Sequence, residues 1–242
     1  MSEDSIFRTS LFSGENLRFV AWLDISGFKK LMKFNPDEAL AVIKEFFKIG
    51  FWQLHPDNQP QGRDTELGLD GLFVSDCAIV WTKIVSDDQS RIDQFRNILK
   101  IVKKINEEVL RSEVMRRNRI MLSTSIAFGE FFSIKTEEHD HIRKNMIFGP
   151  AYIDAYTDNL DNLDPGLCRI VKKNLPELIS SRLNSSPAND DLLAFVRQDE
   201  GRIYFYWNCR TSIEIETFKA KYRQARETKY QEMFEALSIH YR

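Results

Sequence analysis

Apolar residues along the chain occur either in short runs or at helical spacing, and the two patterns alternate. Five consecutive apolar residues, Phe19 to Leu23, predict a buried β-strand, because a half-exposed strand would alternate with polar residues. Two short apolar runs around Ser75 and Asp76 predict a β-hairpin with Asp76 at its tip. Gly129 is expected to interrupt a later strand. The strands and hairpins predicted in this way cover residues 17–24, 71–81, 119–128, 146–148, 192–196 and 203–207.

Stretches with apolar residues every three to four positions predict amphipathic helices between the strands. One helix is expected to begin at Asn35, a favourable N-cap residue that precedes Pro36 and two acidic residues. Further helices are predicted over residues 86–114, 151–160 and 213–239. The order strand, helix, hairpin, helix, strand is the split βαβ pattern of a ferredoxin-like core, so the predicted fold class is an α/β protein, an α+β sandwich.

The chain is predicted to form one core with a C-terminal extension. Residues 185–191 are the best candidate for a linker, because Ser, Pro, Asn and Asp dominate there. We therefore expect an N-terminal arm at residues 1–16, a core at residues 17–183, and a hairpin plus long helix at residues 184–242 that packs on the same domain.

Composition and charge exclude several classes of protein. The 242 residues are 43% apolar and 29% charged, which is ordinary for a globular protein. A net charge of −2 argues against a nucleic-acid-binding protein. The three cysteines are widely spaced and form no CxxC pair, so neither a disulfide framework nor a zinc site is indicated. Without a signal peptide or a membrane-spanning apolar run, the expected location is the cytoplasm.

Asp24 and Asp76 are the strongest candidates for chemistry. Asp24 directly follows the buried strand, where an isolated charge is costly unless it is paired or binds a metal. In a ferredoxin-like sheet the first strand and the hairpin lie side by side, so both carboxylates can meet at one edge. Together with the carbonyl of Ile25 they would offer hard oxygen ligands to Mg²⁺ or Mn²⁺. Taken singly, Asp24 could instead be a helix N-cap and Asp76 a plain turn residue.

The turn after Asp24 is a candidate phosphate site. Ser26 and Gly27 allow a tight turn whose backbone N–H groups can face an anion, and a helix follows. We expect Ile25, Ser26, Gly27 and Phe28 to bind a triphosphate, with Lys29 or Lys30 as nearby charge. A metal-holding carboxylate pair beside such a turn indicates nucleoside triphosphate chemistry, in which two metal ions activate a hydroxyl and neutralise departing pyrophosphate.

Four segments in order resemble the class III nucleotidyl cyclases. Residues 23–28 (LDISGF) look like the first metal motif of that family, and residues 75–78 (SDCA) look like the second. Residues 125–130 and 148–152 resemble two later segments, so the match covers roughly residues 17–160. The resemblance implies a ferredoxin-like cyclase catalytic core and a head-to-tail homodimer in which each active site is completed by the second subunit.

Departures from the family pattern concern the base and the transition state. Leu72 stands where purine-specific members have a Lys, and Pro150 replaces their base-reading Asp. We expect these two residues and Tyr152 to line a base pocket that lacks purine-reading groups. The family's transition-state Asn and Arg align near Ile153 and Thr157, which cannot do that work. The Arg candidates for replacing the missing cation are Arg63, Arg143 and Arg169.

A compact cyclase that keeps its metal carboxylates but has lost its purine readers resembles the pyrimidine cyclases of bacterial Pycsar antiphage defence. That resemblance implies conversion of UTP, or CTP, to the 3′,5′-cyclic monophosphate with Mn²⁺ (or Mg²⁺), two ions per site. It also implies a downstream effector reached only through the product, with no nucleic-acid or membrane partner. Two alternatives stay open: a purine cyclase that reads its base differently, and a catalytically dead cyclase fold that acts as a dimerising regulator.

Overall fold

A computed structural model describes residues 16–55, 68–85, 87–138, 142–161, 164–184, 192–228 and 230–241. The strands are β1 (Leu17–Ile25), β2 (Leu69–Val74), β3 (Cys77–Thr82), β4 (Leu122–Glu130), β5 (Phe132–Glu138), β6 (Ile142–Phe148), β7 (Cys168–Ile170), β8 (Val196–Asp199) and β9 (Arg202–Phe205). The helices are α1 (Phe28–Phe34), α2 (Pro36–Leu54), α3 (Asp88–Arg111), α4 (Glu113–Arg117), α5 (Pro150–Leu160), α6 (Glu177–Asn184), α7 (Ser212–Thr228) and α8 (Tyr230–Leu237), with short 3₁₀ helices at Leu193–Phe195 and Ser238–His240.

Seven strands form one mixed sheet in the order β2-β3-β1-β4-β7-β9-β8. The pairing is antiparallel throughout, except that β4 and β7 run parallel. The β5–β6 hairpin forms a separate two-stranded sheet. The order strand, helices, hairpin, helix, strand confirms the predicted α+β core, with β1 at the centre between the hairpin and β4.

The two faces of β1 have different environments, since successive side chains of a strand point to opposite faces. Phe19, Ala21 and Leu23 belong to the main core, which the sheet shares with the apolar sides of α2 and α3. Phe19 is fully buried, and its ring centroid lies 5.2 Å from that of Phe95 on α3. This layer of helices covers one face of the sheet and leaves the opposite face for other contacts.

The opposite face is only partly covered. Helix α5 packs over β1 and β4 on this side. A second, smaller apolar cluster consists of Val20, Ile79, Trp81, Phe131 and Ala151, with Trp22, Leu72, Ile147 and Tyr152 packed against it in half-buried positions. We call this side of the sheet the α5 face. Asp24 lies on it, because the side chain two residues after Trp22 points the same way.

Several boundaries differ from the predicted ones, and three of the differences are the most informative. Gly129 stays within β4, paired with Arg18 of β1, so the strand continues to Glu130. The terminal hairpin is shorter than predicted, because residues 193–195 form a 3₁₀ helix and its strands are β8 and β9. Its turn lies where it was predicted, with Glu200 and Gly201 both at positive φ. The predicted helix over residues 213–239 is divided into α7 and α8, which apolar spacing alone does not reveal, since both halves keep a helical period.

We infer that the described part of the C-terminal extension, residues 192–228 and 230–241, folds with the core as one unit. Strands β8 and β9 extend the main sheet, and the Trp207 indole N–H donates to the Gly166 carbonyl at 3.0 Å. Leu237 of α8 is fully buried in the main cluster and lies directly against Gly166. Tyr222 of α7 donates to the carbonyl of Pro165. None of the described helices is both long and apolar enough to cross a membrane.

Replacing Leu237 by Ala tests this unit. The loss of a fully buried side chain should lower the free energy of unfolding by about 2–5 kcal/mol, measured by urea denaturation. The control is Ile239→Ala, whose side chain is 51% exposed and whose effect should stay within about 0.5 kcal/mol. A single cooperative transition is expected in all three proteins. Two separate transitions in the wild type would contradict the inference.

Candidate active site

The register of the central strands brings Asp24 and Asp76 to the same edge of the sheet. Asp24 is the penultimate residue of β1 and lies opposite Cys77, the first residue of β3. Asp76 is in the two-residue turn between β2 and β3, and its carbonyl accepts a hydrogen bond of 2.9 Å from the Ile25 N–H. The end of β1 is therefore tied directly to the tip of the hairpin. Both aspartates are half-buried.

The electrostatics of this edge are unfavourable without a counterion. Burial, and then the Asp76 carboxylate, raise the pKa of Asp24 from 3.8 to about 6. The same influences, burial first and then Asp76 and Asp24, raise the pKa of the Cys77 thiol to about 12. No cation among the described residues offsets the repulsion that acts on Asp24. The paired carboxylates thus form a concentration of negative charge.

This donor set fits a hard divalent cation. Carboxylate oxygens and a backbone carbonyl such as that of Ile25 are ligands that Mg²⁺ and Mn²⁺ accept. Among the described residues, no cluster of three or more His, Cys, Asp or Glu side chains forms a complete metal site. A pair of carboxylates is nevertheless a common protein contribution where a bound phosphate and water supply the remaining ligands.

The turn that follows Asp24 is held by several contacts around Ser26. The Ser26 N–H donates to the Met121 carbonyl at 2.9 Å, and its hydroxyl lies 2.8 Å from that of Ser123. Its carbonyl accepts a 3.0 Å hydrogen bond from the phenol of Tyr230. Gly27 has a φ of +79°, a conformation that favours glycine. Because α1 has only seven residues, the expected anion site rests on the amides of the turn rather than on a helix dipole.

Two of the three predicted base-pocket residues lie on the α5 face. Leu72 pairs with Ile79 across β2 and β3, and both Leu72 and Tyr152 pack on the smaller apolar cluster. Tyr152 also lies close enough to Cys77 for the thiol to affect its pKa, which is raised chiefly by burial. Pro150 is exposed at the first position of α5. The structure therefore brings Leu72 and Tyr152 to the same apolar cluster, whereas Pro150 lies exposed at the start of α5.

Sequence reasoning missed two aromatic residues on the same face. The ring centroid of Trp22 lies 4.9 Å from that of Tyr156 and 5.7 Å from that of Tyr152. A signal for Trp22 was available, since the period of two along β1 places it beside Asp24. Tyr156 follows Tyr152 by one helical turn, so the two rings occupy one side of α5. These aromatic rings form an apolar wall next to the paired carboxylates.

The residues that stand in place of the family's transition-state pair are exposed. Ile153 and Thr157 lie one turn apart on α5, and Ile153 is 57% exposed. Neither side chain carries a charge, so this side of α5 offers no cation to the α5 face.

Arg169, a candidate for the missing cation, is buried and paired with a carboxylate. It is only 3% exposed, and its Nε donates to the Asp158 carboxylate at 2.7 Å. The same carboxylate accepts a 2.6 Å hydrogen bond from the Ser125 hydroxyl, which joins α5 to β4. Arg169 thus anchors α5 on the sheet. Arg63 and the side chain of Arg143 lie outside the described part of the chain.

Solved structures of nucleotide cyclase domains share this fold. The guanylate cyclase domain of RhGC from Catenaria anguillulae, in complex with GTP, is 12% identical, with 64% of this chain and 78% of that chain covered and a TM-score of 0.50. The monomeric guanylyl cyclase domain of the RhoGC fusion protein from the aquatic fungus Blastocladiella emersonii is 10% identical, with 78% and 94% covered and a TM-score of 0.53. The catalytic core of a rhodopsin-guanylyl cyclase with converted specificity, in complex with ATPαS, is 12% identical, with the same coverages and a TM-score of 0.52.

The chain therefore has the fold of a class III nucleotidyl cyclase catalytic domain, as the ordered motifs predicted. No protein-family model matches the sequence, and no curated protein matches it either. Because the identities are 10–12%, the structural likeness carries the fold alone.

Replacing Asp24 by Asn tests the charge at the sheet edge. With a folded-state pKa near 6, above the ordinary 3.8, ionised Asp24 destabilises the metal-free protein as pH rises from about 4 to about 6. In EDTA at pH 7.5 the variant should therefore melt about 2–5 °C above wild type, and the gain should vanish below pH 4. Mn²⁺ should raise the Tm of wild type but not of the variant. Asp93→Asn, at an exposed carboxylate on α3, is the control. Equal Mn²⁺ stabilisation of wild type and Asp24→Asn would rule out Asp24 as a ligand.

Replacing Arg169 by Met tests its anchoring role. Asp158 would lose its charge partner, so the free energy of unfolding should fall by about 3–5 kcal/mol in urea denaturation. Adding Asp158→Asn should recover part of the loss. Lys173→Met, which breaks an exposed ion pair with Asp154, should cost no more than about 1 kcal/mol. Unchanged stability of Arg169→Met would rule out the anchoring role.

Proposed function

We propose that the protein is a metal-dependent nucleotidyl cyclase that converts a pyrimidine ribonucleoside triphosphate to its 3′,5′-cyclic monophosphate and pyrophosphate. One observation carries the proposal: in a cyclase catalytic fold, Asp24 and Asp76 meet at one sheet edge, and no cation among the described residues offsets the repulsion that acts on Asp24. A carboxylate pair of this kind destabilises the metal-free fold through its repulsion. Its retention is understandable if a divalent cation occupies the edge during function.

Different residues of this edge would bind the metal ions and the triphosphate. Asp24, Asp76 and the Ile25 carbonyl would hold Mn²⁺ or Mg²⁺, two ions per site. Such ions activate a hydroxyl for attack and neutralise a departing pyrophosphate. The turn amides of residues 25–28 would bind the triphosphate, which fixes the α-phosphate relative to the ribose. Positioning and charge stabilisation of this type supply most of the catalysis in phosphoryl chemistry.

The reaction is an intramolecular displacement. The ribose 3′-oxygen forms a bond to the α-phosphorus, and the bond between that phosphorus and the oxygen bridging to the β-phosphate breaks. The 3′-hydroxyl proton passes to water, and pyrophosphate leaves with the bridging oxygen. No oxidant or second substrate is required, so the triphosphate and the metal suffice.

The apolar wall of the α5 face supports a pyrimidine substrate. Leu72 offers no hydrogen bond to a base, and Tyr152 with Trp22 fills space beside it. A purine-specific site needs polar groups placed to hydrogen-bond the purine, and Leu72 stands where the purine-specific members have such a group. We assign UTP, or CTP, as the substrate, with UTP preferred.

A homodimer would complete the site. The α5 face carries the half-buried Trp22, Leu72 and Tyr152, and Ile153 of α5 is exposed. A second copy placed over this face would cover these apolar side chains and bring its own residues to the paired carboxylates.

We place this activity in antiphage defence, on the likeness of the sequence motifs to the pyrimidine cyclases of bacterial Pycsar systems. The cyclic pyrimidine nucleotide would then be a second messenger made in the cytoplasm during infection. An effector would respond to the product alone, without contact between the two proteins.

A second candidate function is a catalytically inactive cyclase fold that serves as a dimerising regulator. Two observations favour this function. Ile153 and Thr157 on α5 carry no charge, and Arg169 is already paired with Asp158. This candidate predicts no product from any triphosphate and no dependence on Mn²⁺.

The decisive experiment is a competition assay with all four ribonucleoside triphosphates and Mn²⁺, with the products identified by mass spectrometry. We expect cyclic UMP or cyclic CMP, and a loss of at least 100-fold in rate for Asp76→Ala, because removal of a metal ligand abolishes charge neutralisation. Asp93→Ala, at an exposed carboxylate of α3, should retain wild-type activity.

Cyclic AMP or cyclic GMP as the main product would keep the cyclase and overturn the pyrimidine assignment. If no triphosphate yields product, the inactive regulator becomes the better account. Full activity in Asp76→Ala would remove Asp76 from the site.

A further inference from the structure

The C-terminal extension contacts the turn that we assign to triphosphate binding. Tyr230 is the first residue of α8, and its phenol donates a 3.0 Å hydrogen bond to the Ser26 carbonyl across 204 residues of sequence. The turn is otherwise held from the sheet side, by Met121 and Ser123. Tyr230 is therefore the contact that reaches the turn from the extension.

A hydrogen bond to the Ser26 carbonyl also fixes the N–H of Gly27. Both groups belong to one planar trans peptide, in which C=O and N–H point in opposite directions. When Tyr230 holds the oxygen on its own side, the Gly27 N–H must point away from Tyr230. An added Cβ on Gly27 would lie 3.9 Å from the Tyr230 hydroxyl, so the phenol stands in van der Waals reach of this residue.

The restraint matters because Gly27 is conformationally permissive. Its φ of +79° is one of several conformations open to glycine, and a turn peptide with a glycine can rotate to reverse its C=O and N–H. A donor fixed beside the carbonyl selects one orientation. An amide that is already oriented binds an anion without the cost of ordering it first.

Helix α8, which begins with Tyr230, packs on the main core. Met233, Phe234 and Leu237 on its inner side are buried in the main core. Leu237 is packed against Gly166, which precedes β7, and the Gly166 N–H donates to the Leu122 carbonyl at the start of β4. Leu122 lies opposite Ile25 in the sheet. The extension is thus attached to the same end of the sheet that carries the paired carboxylates.

We propose that Tyr230 is a positioning residue for triphosphate binding, whose hydroxyl holds the Ser26–Gly27 peptide so that the Gly27 N–H faces the bound phosphates. The inference rests on the proposed cyclase function, and it makes the C-terminal extension part of the substrate site. Tyr230 touches neither substrate nor metal. Its effect is on affinity, because an oriented amide binds the phosphates in the ground state and in the transition state alike.

The test compares Tyr230→Phe with Tyr222→Phe in the full chain. Tyr222 is a matched control, since its phenol also donates from the extension to a backbone carbonyl, that of Pro165, away from the turn. The readouts are the KM and kcat for the preferred triphosphate, the Kd for inorganic tripolyphosphate with Mn²⁺ by calorimetry, and the Tm. For Tyr230→Phe we expect about a tenfold rise in KM and in the tripolyphosphate Kd, with kcat within about twofold. Tyr222→Phe should match wild type in all three constants, and both variants should show similar small decreases in Tm.

Each result supports or overturns the inference. If Tyr230→Phe matches wild type in KM and Kd while wild type is active, Tyr230 has no positioning role and the cyclase assignment stands. If both variants lose affinity equally, the effect is general destabilisation and the inference is wrong. If wild type neither forms product nor binds tripolyphosphate, the proposed function fails, and the inference falls with it.

Discussion

The hydrogen bond from the Ile25 N–H to the Asp76 carbonyl holds two carboxylates close together although they repel each other. The β1–β3 register places Asp24 at the same edge, so the fold itself enforces the repulsion. The burial of the opposite face of β1 against the helices offsets the destabilising effect of this repulsion. The buried core and the paired carboxylates therefore lie on opposite faces of one strand.

This division explains the uneven covering of the sheet. On the helical side, aromatic and aliphatic residues of α2, α3 and β1 form one continuous core. On the other side, helix α5 covers part of the sheet and is anchored by the pair of Arg169 and Asp158. Away from this anchor, Ile153 of α5 is 57% exposed.

Much of the fold was predictable because its signals are local. The apolar run in β1, the N-cap at Asn35 and the turn at Asp76 each depend on a few neighbouring residues. The meeting of Asp24 and Asp76 followed from topology, since sequential elements of a split βαβ unit have few ways to pair. The division of the terminal helix was missed, because apolar spacing stays helical through α7 and α8. The burial of Arg169 was also missed, since no local pattern distinguishes an anchoring arginine from a catalytic one.

The contact between Tyr230 and Ser26 could not be predicted from sequence patterns. It joins the two ends of the described chain, and a tyrosine at the start of an amphipathic helix carries no mark of that partner. The pairing of β1, the hairpin and β4 brings Asp24, Asp76 and Ser123 together, whereas the contact of Tyr230 with the turn depends on the packing of α8 on the core. The carboxylate edge and the support of the turn therefore depend on distant parts of the chain.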